Sequence, residues 1–202
     1  MTRAEQRVAT RTAILDAAGE CLVDDGYAGL TTRRVAERAN VAQSTLMHHF
    51  PTREQLLVET VTRLAMRLTD TALEDIDFGA ARDPEAREAM LDRVWRVFTS
   101  PEALASAQLW FAAWAEPELA AALRDLEERL TDMVLATASA VLGDLVEHPE
   151  FMALMEAGLS TIRGLVMTIP VSGRDAADER WAAIRPILNR TASELLDQPV
   201  TG

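Results

Sequence analysis

The apolar positions at the start of this chain repeat at helical spacing and are interrupted at short intervals by turn residues. Ile14, Ala18, Cys21 and Leu22 make one stripe on a helix expected from about Arg11 to Asp25. Gly26 stops it, and Tyr27 packs back. A short helix is expected from about Thr32 to Ala39, with Val35, Ala36 and Ala39 inward and Thr31 or Thr32 as its cap. Asn40 follows, and Asn tolerates the left-handed backbone that a sharp helix-to-helix turn needs. Val41 fills the inside of that turn. A second short helix covers about Gln43 to Phe50, and Pro51 ends it. At roughly 100° per residue, Leu46 and Phe50 share an inward face. Ser44, Thr45, Met47 and His48 point away from it, with Gln43 at the helix start and His49 on a flank.

The pattern then lengthens. Thr52-Arg53-Glu54-Gln55 has the form of a capping box and opens a long helix to about Asp75, with Leu57, Val61, Leu64 and Leu68 on one face. A loop from Asp77 to Pro84 contains Gly79. The next helix carries Met90, Leu91, Val94, Trp95, Val97 and Phe98, and Ser100-Pro101 starts another, on which Trp110 and Trp114 share a face. Pro117 opens a longer one, from about Glu118 to Gly143, with Leu119, Leu123, Leu126, Leu130, Met133, Val134 and Val141 apolar and Glu127-Glu128-Arg129 solvated. After a loop at His148-Pro149, the helix from Glu150 to Ile169 is apolar on two sides. Met152, Met155, Leu159, Ile162 and Val166 form one stripe, and Leu154, Gly158, Leu165 and Ile169 the other. Such a helix is wedged between two packing surfaces. Pro170 and Gly173 are expected to end it. The last helix, about Ala177 to Leu196, contains Pro186, which predicts a kink or a late start. The fold class is therefore all-α: a three-helix helix-turn-helix domain over residues 1–51, then a helical bundle over residues 52–202.

The outward face of the second short helix offers an amide, two hydroxyls, a thioether and an imidazole, but no carboxylate. That set suits duplex DNA. Gln pairs bidentately with adenine, Ser and Thr bond bases or phosphates, and an apolar group meets the thymine methyl. A helix-turn-helix lays its second helix in the major groove while the first crosses the backbone. The alternative on geometry alone is an ordinary surface helix of a bundle.

Gly26-Tyr27, Leu30-Thr31-Thr32, Val35-Ala36, Ala39-Asn40-Val41, Thr45-Leu46, His49-Phe50-Pro51 and Glu54-Leu56-Leu57 follow one another without a gap. Together they resemble the DNA-binding domain of the TetR/AcrR family of bacterial regulators. The resemblance implies phosphate contacts from Thr32, Thr45, His49 and Arg53, and base-facing roles for Arg33, Gln43, Ser44 and His48. Two positions depart from the family pattern. Asn40 stands where relatives usually carry Gly. Met47 stands where they usually carry a Tyr that bonds a phosphate, so this chain has one backbone contact fewer or sets Met47 against a thymine methyl. The last two helices together read as a homodimer interface, a four-helix bundle made by two chains. The alternative is that both faces are buried within one chain, and the match of a two-fold protein to a two-fold double-stranded DNA operator favours the dimer. The resemblance also implies a bundle pocket for a small apolar effector, and most relatives repress. Met66, Trp95, Phe98, Trp110, Trp114, Met133 and Met155 are the apolar candidates for that pocket, and Arg163 could meet an acidic group. The alternative for each aromatic and Met is plain core packing, and for Arg163 an ion pair or interface contact.

Charge changes this picture little. The 202-residue chain has a formal charge of −12, but residues 1–55 balance seven Arg against seven acids, so the excess acid lies beyond the reading helices. There it repels DNA and helps orient the molecule. Arg3, Arg7 and Arg11 sit on an N-terminal tail that is either solvated or close enough to DNA to touch phosphates or enter a minor groove. The lone Cys21 falls on an apolar stripe and reads as a buried small hydrophobe. No leader sequence opens the chain, and no run approaches about 18 consecutive apolar residues. A cytoplasmic protein with no membrane partner is expected. Enzymatic readings find little. His48 and His49 are adjacent and diverge on a helix, and there is no Gly-rich phosphate loop, no Gly-x-Ser-x-Gly and no Cys cluster. No cofactor is called for. The competing function is a small-molecule-binding helical dimer with weak or lost DNA binding.

Overall fold

A computed structural model describes residues 2–74, 78–143, 146 and 149–196, and among them every regular element is helical. In chain order these are α1 (Arg3–Gly29), α2 (Thr32–Arg38), α3 (Gln43–His49), α4 (Arg53–Glu74), a 3-10 turn (Phe78–Arg82), α5 (Pro84–Phe98), α6 (Pro101–Ala112), α7 (Pro117–Leu142), α8 (Pro149–Ser172) and α9 (Arg174–Leu196). The expectations for Asp75, Asp77, His148 and the side chain of Val141 lie outside the described residues. The chain divides into two compact units, Met1–Thr69 with Pro101–Glu128, and Asp70–Ser100 with Arg129–Gly202.

In the first unit, α1 begins about two turns earlier than the expected start at Arg11. The reason is a cap. Thr2 Oγ1 accepts from the Glu5 amide at 3.2 Å, and the Glu5 carboxylate accepts from the Thr2 amide at 2.8 Å. This reciprocal box satisfies two orphan donors and starts a helix whose first turns are polar. Near its other end α1 breaks at Gly26, with φ 70° and ψ −180°, a conformation essentially confined to glycine. The break turns the chain toward α2, which Thr31 caps by accepting from the Arg34 amide at 3.3 Å.

Asn40 adopts φ 52°, the left-handed turn expected of it. The Val41 amide then donates to the Ala36 carbonyl at 3.0 Å, which closes the turn and aims α3. Ile14, Ala18 and Leu22 of α1, Leu30, Val35 of α2, Leu46 of α3, Phe50 and Leu56 of α4 are all fully buried, so these four helices share a dry core. Thr52 Oγ1 accepts from the Gln55 amide at 3.1 Å and starts α4.

The second unit is tied by polar bonds as much as by apolar packing. Asp83 caps α5, accepting from the Ala86 amide at 3.2 Å, with Pro84 in the first helical position. Trp95 of α5 stacks on Trp181 of α9 with ring centroids 5.2 Å apart. Each indole N–H crosses to the other helix, Trp95 to Asp178 at 2.7 Å and Trp181 to Asp92 at 3.1 Å. Two departures from the periodicity lie here. α8 continues through Pro170 to Ser172, where Gly173 at φ 84° stops it. α9 begins at Arg174, earlier than expected, and runs as one helix through Pro186. Arg174 stabilises that early start by an ion pair to Asp178 at 2.8 Å and a bond to the Thr99 carbonyl at 3.0 Å.

Candidate nucleic-acid interface

Leu46 and Phe50 are fully buried and fix the rotation of α3 about its axis. The opposite face is what that rotation leaves in solvent. Gln43, Ser44, Met47 and His48 are exposed, while Thr45 and His49 on the flanks are half-buried. Met47 is 41% exposed, a large apolar group that faces water. From α2, Thr32 is half-buried beside an exposed Arg33 that pairs with Glu37 at 2.9 Å one turn along its own helix. An exposed i,i+4 pair contributes little, so Arg33 can exchange it for a base or phosphate at little cost.

His49 lies among positive charges. Burial holds its imidazole below the ordinary value, and the charges of His48, Arg7 and Arg11 add to the effect. Both effects favour the neutral ring. Its Nδ1 is buried with no hydrogen-bond partner among the described residues. His48 and His49 meet edge to face, with centroids 5.8 Å apart. No group of three or more potential metal ligands occurs among the described residues. Arg11 completes the neighbourhood: its guanidinium lies 4.8 Å from the centre of the Phe50 ring and pairs with Glu59 of α4.

Arg53 has internal work that the expectation of a phosphate contact did not include. Its Nε donates to the Leu30 carbonyl at 3.3 Å, and Nη2 to the Tyr27 carbonyl at 3.4 Å. The guanidinium also covers the Tyr27 ring at 4.9 Å. It thus ties the start of α4 to the end of α1. Tyr27 is in turn held from the far side of the unit. Its amide donates to Gln108 Oε1 at 2.9 Å, and its hydroxyl donates to the Glu116 carboxylate. Nothing in the spacing of Gln108 or Glu116 announces this grip. Only Gly26 hints at it, because a Cβ there would meet Gln108 Oε1 at 3.0 Å.

The expected effector residues fall in both units. Met66, Trp110 and Trp114 belong to the first, and Trp95, Phe98, Met133, Met155 and Arg163 to the second. Trp114 lies beyond the end of α6 and is 92% exposed, so it walls no cavity in its own unit. Met155 is also exposed, whereas Met66, Phe98, Trp110, Met133 and Arg163 are half-buried. Trp95 is buried in the stack with Trp181. A cleft of about 350 Å³ in the second unit is lined by Ala89, Asp92, Trp95 and Arg96, and of the expected effector residues it takes in Trp95 alone.

Residues 14–60 match the family model described as bacterial regulatory proteins, tetR family. The HTH-type transcriptional regulator BetI of Rhizobium meliloti (strain 1021) is 32% identical over 118 residues, 57% of this chain and 56% of its own. The HTH-type transcriptional regulator CymR of Pseudomonas putida is 30% identical over 130 residues, 63% of each chain. The matches thus span between about half and two thirds of these relatives. Solved structures share the fold over nearly the whole length. A transcriptional regulator from Rhodococcus sp. Rha1 superposes with a TM-score of 0.60 at 20% identity, covering 92% of this chain and 93% of its own. The multidrug binding protein EbrR complexed with proflavin gives 0.61 at 23% identity, covering 90% and 99%.

Proposed function

We propose that this chain, whose residues 14–60 match the tetR family of bacterial regulatory proteins, is a ligand-responsive transcriptional regulator that binds a two-fold DNA operator as a homodimer. The exposed, carboxylate-free face of α3 carries this reading. Gln43, Ser44 and His48, with Arg33 of α2, are its base-facing groups. Thr32, Thr45 and His49 are its phosphate contacts, and Met47 lies against a thymine methyl. Arg53 supports the reading helices by holding Tyr27 and Leu30. The dimer forms through α8 and α9. Val171, at 89% exposure, and Ile187, Met155 and Met167 leave apolar surface on these helices that a second copy would cover.

Regulation follows from geometry. Two copies of α3 must lie about one DNA turn, ~34 Å, apart to enter successive major grooves. A small apolar effector that prefers a dimer of another spacing releases the operator, so the regulator acts as a repressor. Only an effector with different affinity for the two states can do this. EbrR, a protein of the same fold, was crystallised with proflavin, and that supports an effector role for the bundle. On this reading the regulator works in the cytoplasm and catalyses no reaction. Met47 supports a second reading, a ligand-binding dimer with weakened DNA affinity.

Base reading has a specific signature. Gln43→Ala or His48→Ala changes which base is preferred at one operator position, at a cost of about 1–3 kcal/mol there. Competition binding against single-base operator variants measures it. An equal loss on every sequence would remove these two residues from the base-facing set.

A further inference from the structure

Arg3, Arg7 and Arg11 are not on a loose tail. The Thr2–Glu5 cap makes the first turns of α1 helical, so the three arginines recur every four residues and form one stripe. Glu5 falls roughly 200° from Arg3 around the helix, on the other side. Arg11 shows which way the stripe faces. Its guanidinium rests on the ring of Phe50, the residue that ends α3, and the charges of Arg7 and Arg11 are both felt by His49. The stripe therefore runs on from the end of the reading helix. Arg11 is fixed by Glu59. Arg3 and Arg7 are exposed and carry no ion pair among the described residues.

We propose that the helical start of α1 is a phosphate-gripping arm, in which Arg3 and Arg7 contact backbone phosphates of the same duplex that α3 reads. The proposal rests on the regulator reading. Its argument is charge complementarity and continuity with the α3 face. A pre-formed helix holds the two side chains in fixed register, so little backbone freedom remains to be lost on binding. The arm adds affinity and salt dependence without adding sequence information.

The test uses the full chain and two duplexes, the site that the wild type enriches and a random-sequence control, with affinity measured between 50 and 200 mM salt. An Arg3→Ala/Arg7→Ala double variant keeps helix-favouring residues and the Thr2–Glu5 cap. It should bind both duplexes at least tenfold more weakly at the low-salt end. Each lost phosphate contact lowers the log–log salt slope by about 0.9, so a dimer losing four has a slope shallower by roughly 3.6. The preferred sequence should not change, and Arg3→Lys/Arg7→Lys should restore most of the slope. An unchanged slope in a variant that still binds would overturn the arm, as would a changed sequence preference. Failure of the wild type itself to prefer any duplex would instead overturn the regulator reading beneath it.

Discussion

Phe50→Ala costs the first unit about 3–5 kcal/mol and removes specific DNA binding with it. Phe50 is fully buried and is the C-terminal cap residue of α3. Its amide donates to the Leu46 carbonyl at 2.8 Å, so backbone and ring together fix where the reading helix ends. With the ring gone, α3 loses the larger of its two buried anchors, and Arg11 loses the surface it rests on. A helix of seven residues has no stability of its own and depends on those contacts. Urea unfolding followed by far-ultraviolet circular dichroism measures the loss. Phe50→Leu, which keeps most of the apolar volume, should retain most of the stability and some binding. A Phe50→Ala protein as stable as the wild type would show that α3 is held by something other than its buried face.

Arg87→Met lowers the stability of the second unit by roughly 3 kcal/mol. Arg87 is a charged residue only 3% exposed on the buried side of α5. It donates to Asn189 Oδ1 and the Ala81 carbonyl, each at 2.6 Å, to the Asn189 carbonyl at 3.2 Å, and to Ser193 Oγ. Asn189 in turn donates to the Pro84 carbonyl at 2.9 Å, so one guanidinium joins the turn before α5 to the end of α9. Methionine keeps the aliphatic stem and removes the donors. Each buried acceptor left without one costs about 1–3 kcal/mol. Fluorescence of the stacked Trp95 and Trp181 follows the unfolding of this unit. A loss below about 1 kcal/mol would mean that water replaces the guanidinium at its acceptors.

The first unit was largely legible in the sequence because its instructions are local. Leu46 and Phe50 four residues apart, Asn40 at the turn and Pro51 after it each act within a few residues, and the structure uses them as read. The start of α1 escaped because the periodicity marks buried faces, and its first turns bury little. The clue was the Thr2-to-Glu5 spacing, which is capping chemistry rather than apolar pattern. Partnerships between distant segments left no trace at all. Arg53 carries the same charge on a phosphate or on the Tyr27 carbonyl, and only the folded chain shows that the carbonyl is within its reach. The same holds for Trp95. A tryptophan on an apolar stripe looks alike as a ligand wall or as half of a stack, and Trp181 lies 86 residues farther along. As a stop at Pro170 or a late start at Pro186, proline was over-read. Pro170 sits one turn from a helix end, and the early start of α9 at Arg174 leaves Pro186 within an established helix.

The central claim is that α3 reads DNA as one of a symmetric pair. The most direct measurement is selection of bound duplexes from a random library by the full chain, at a stated moderate salt. The account predicts an enriched site with two-fold symmetry and half-sites about one helical turn apart. A folded, dimeric protein that enriches no sequence, or an enriched site without symmetry, would contradict it.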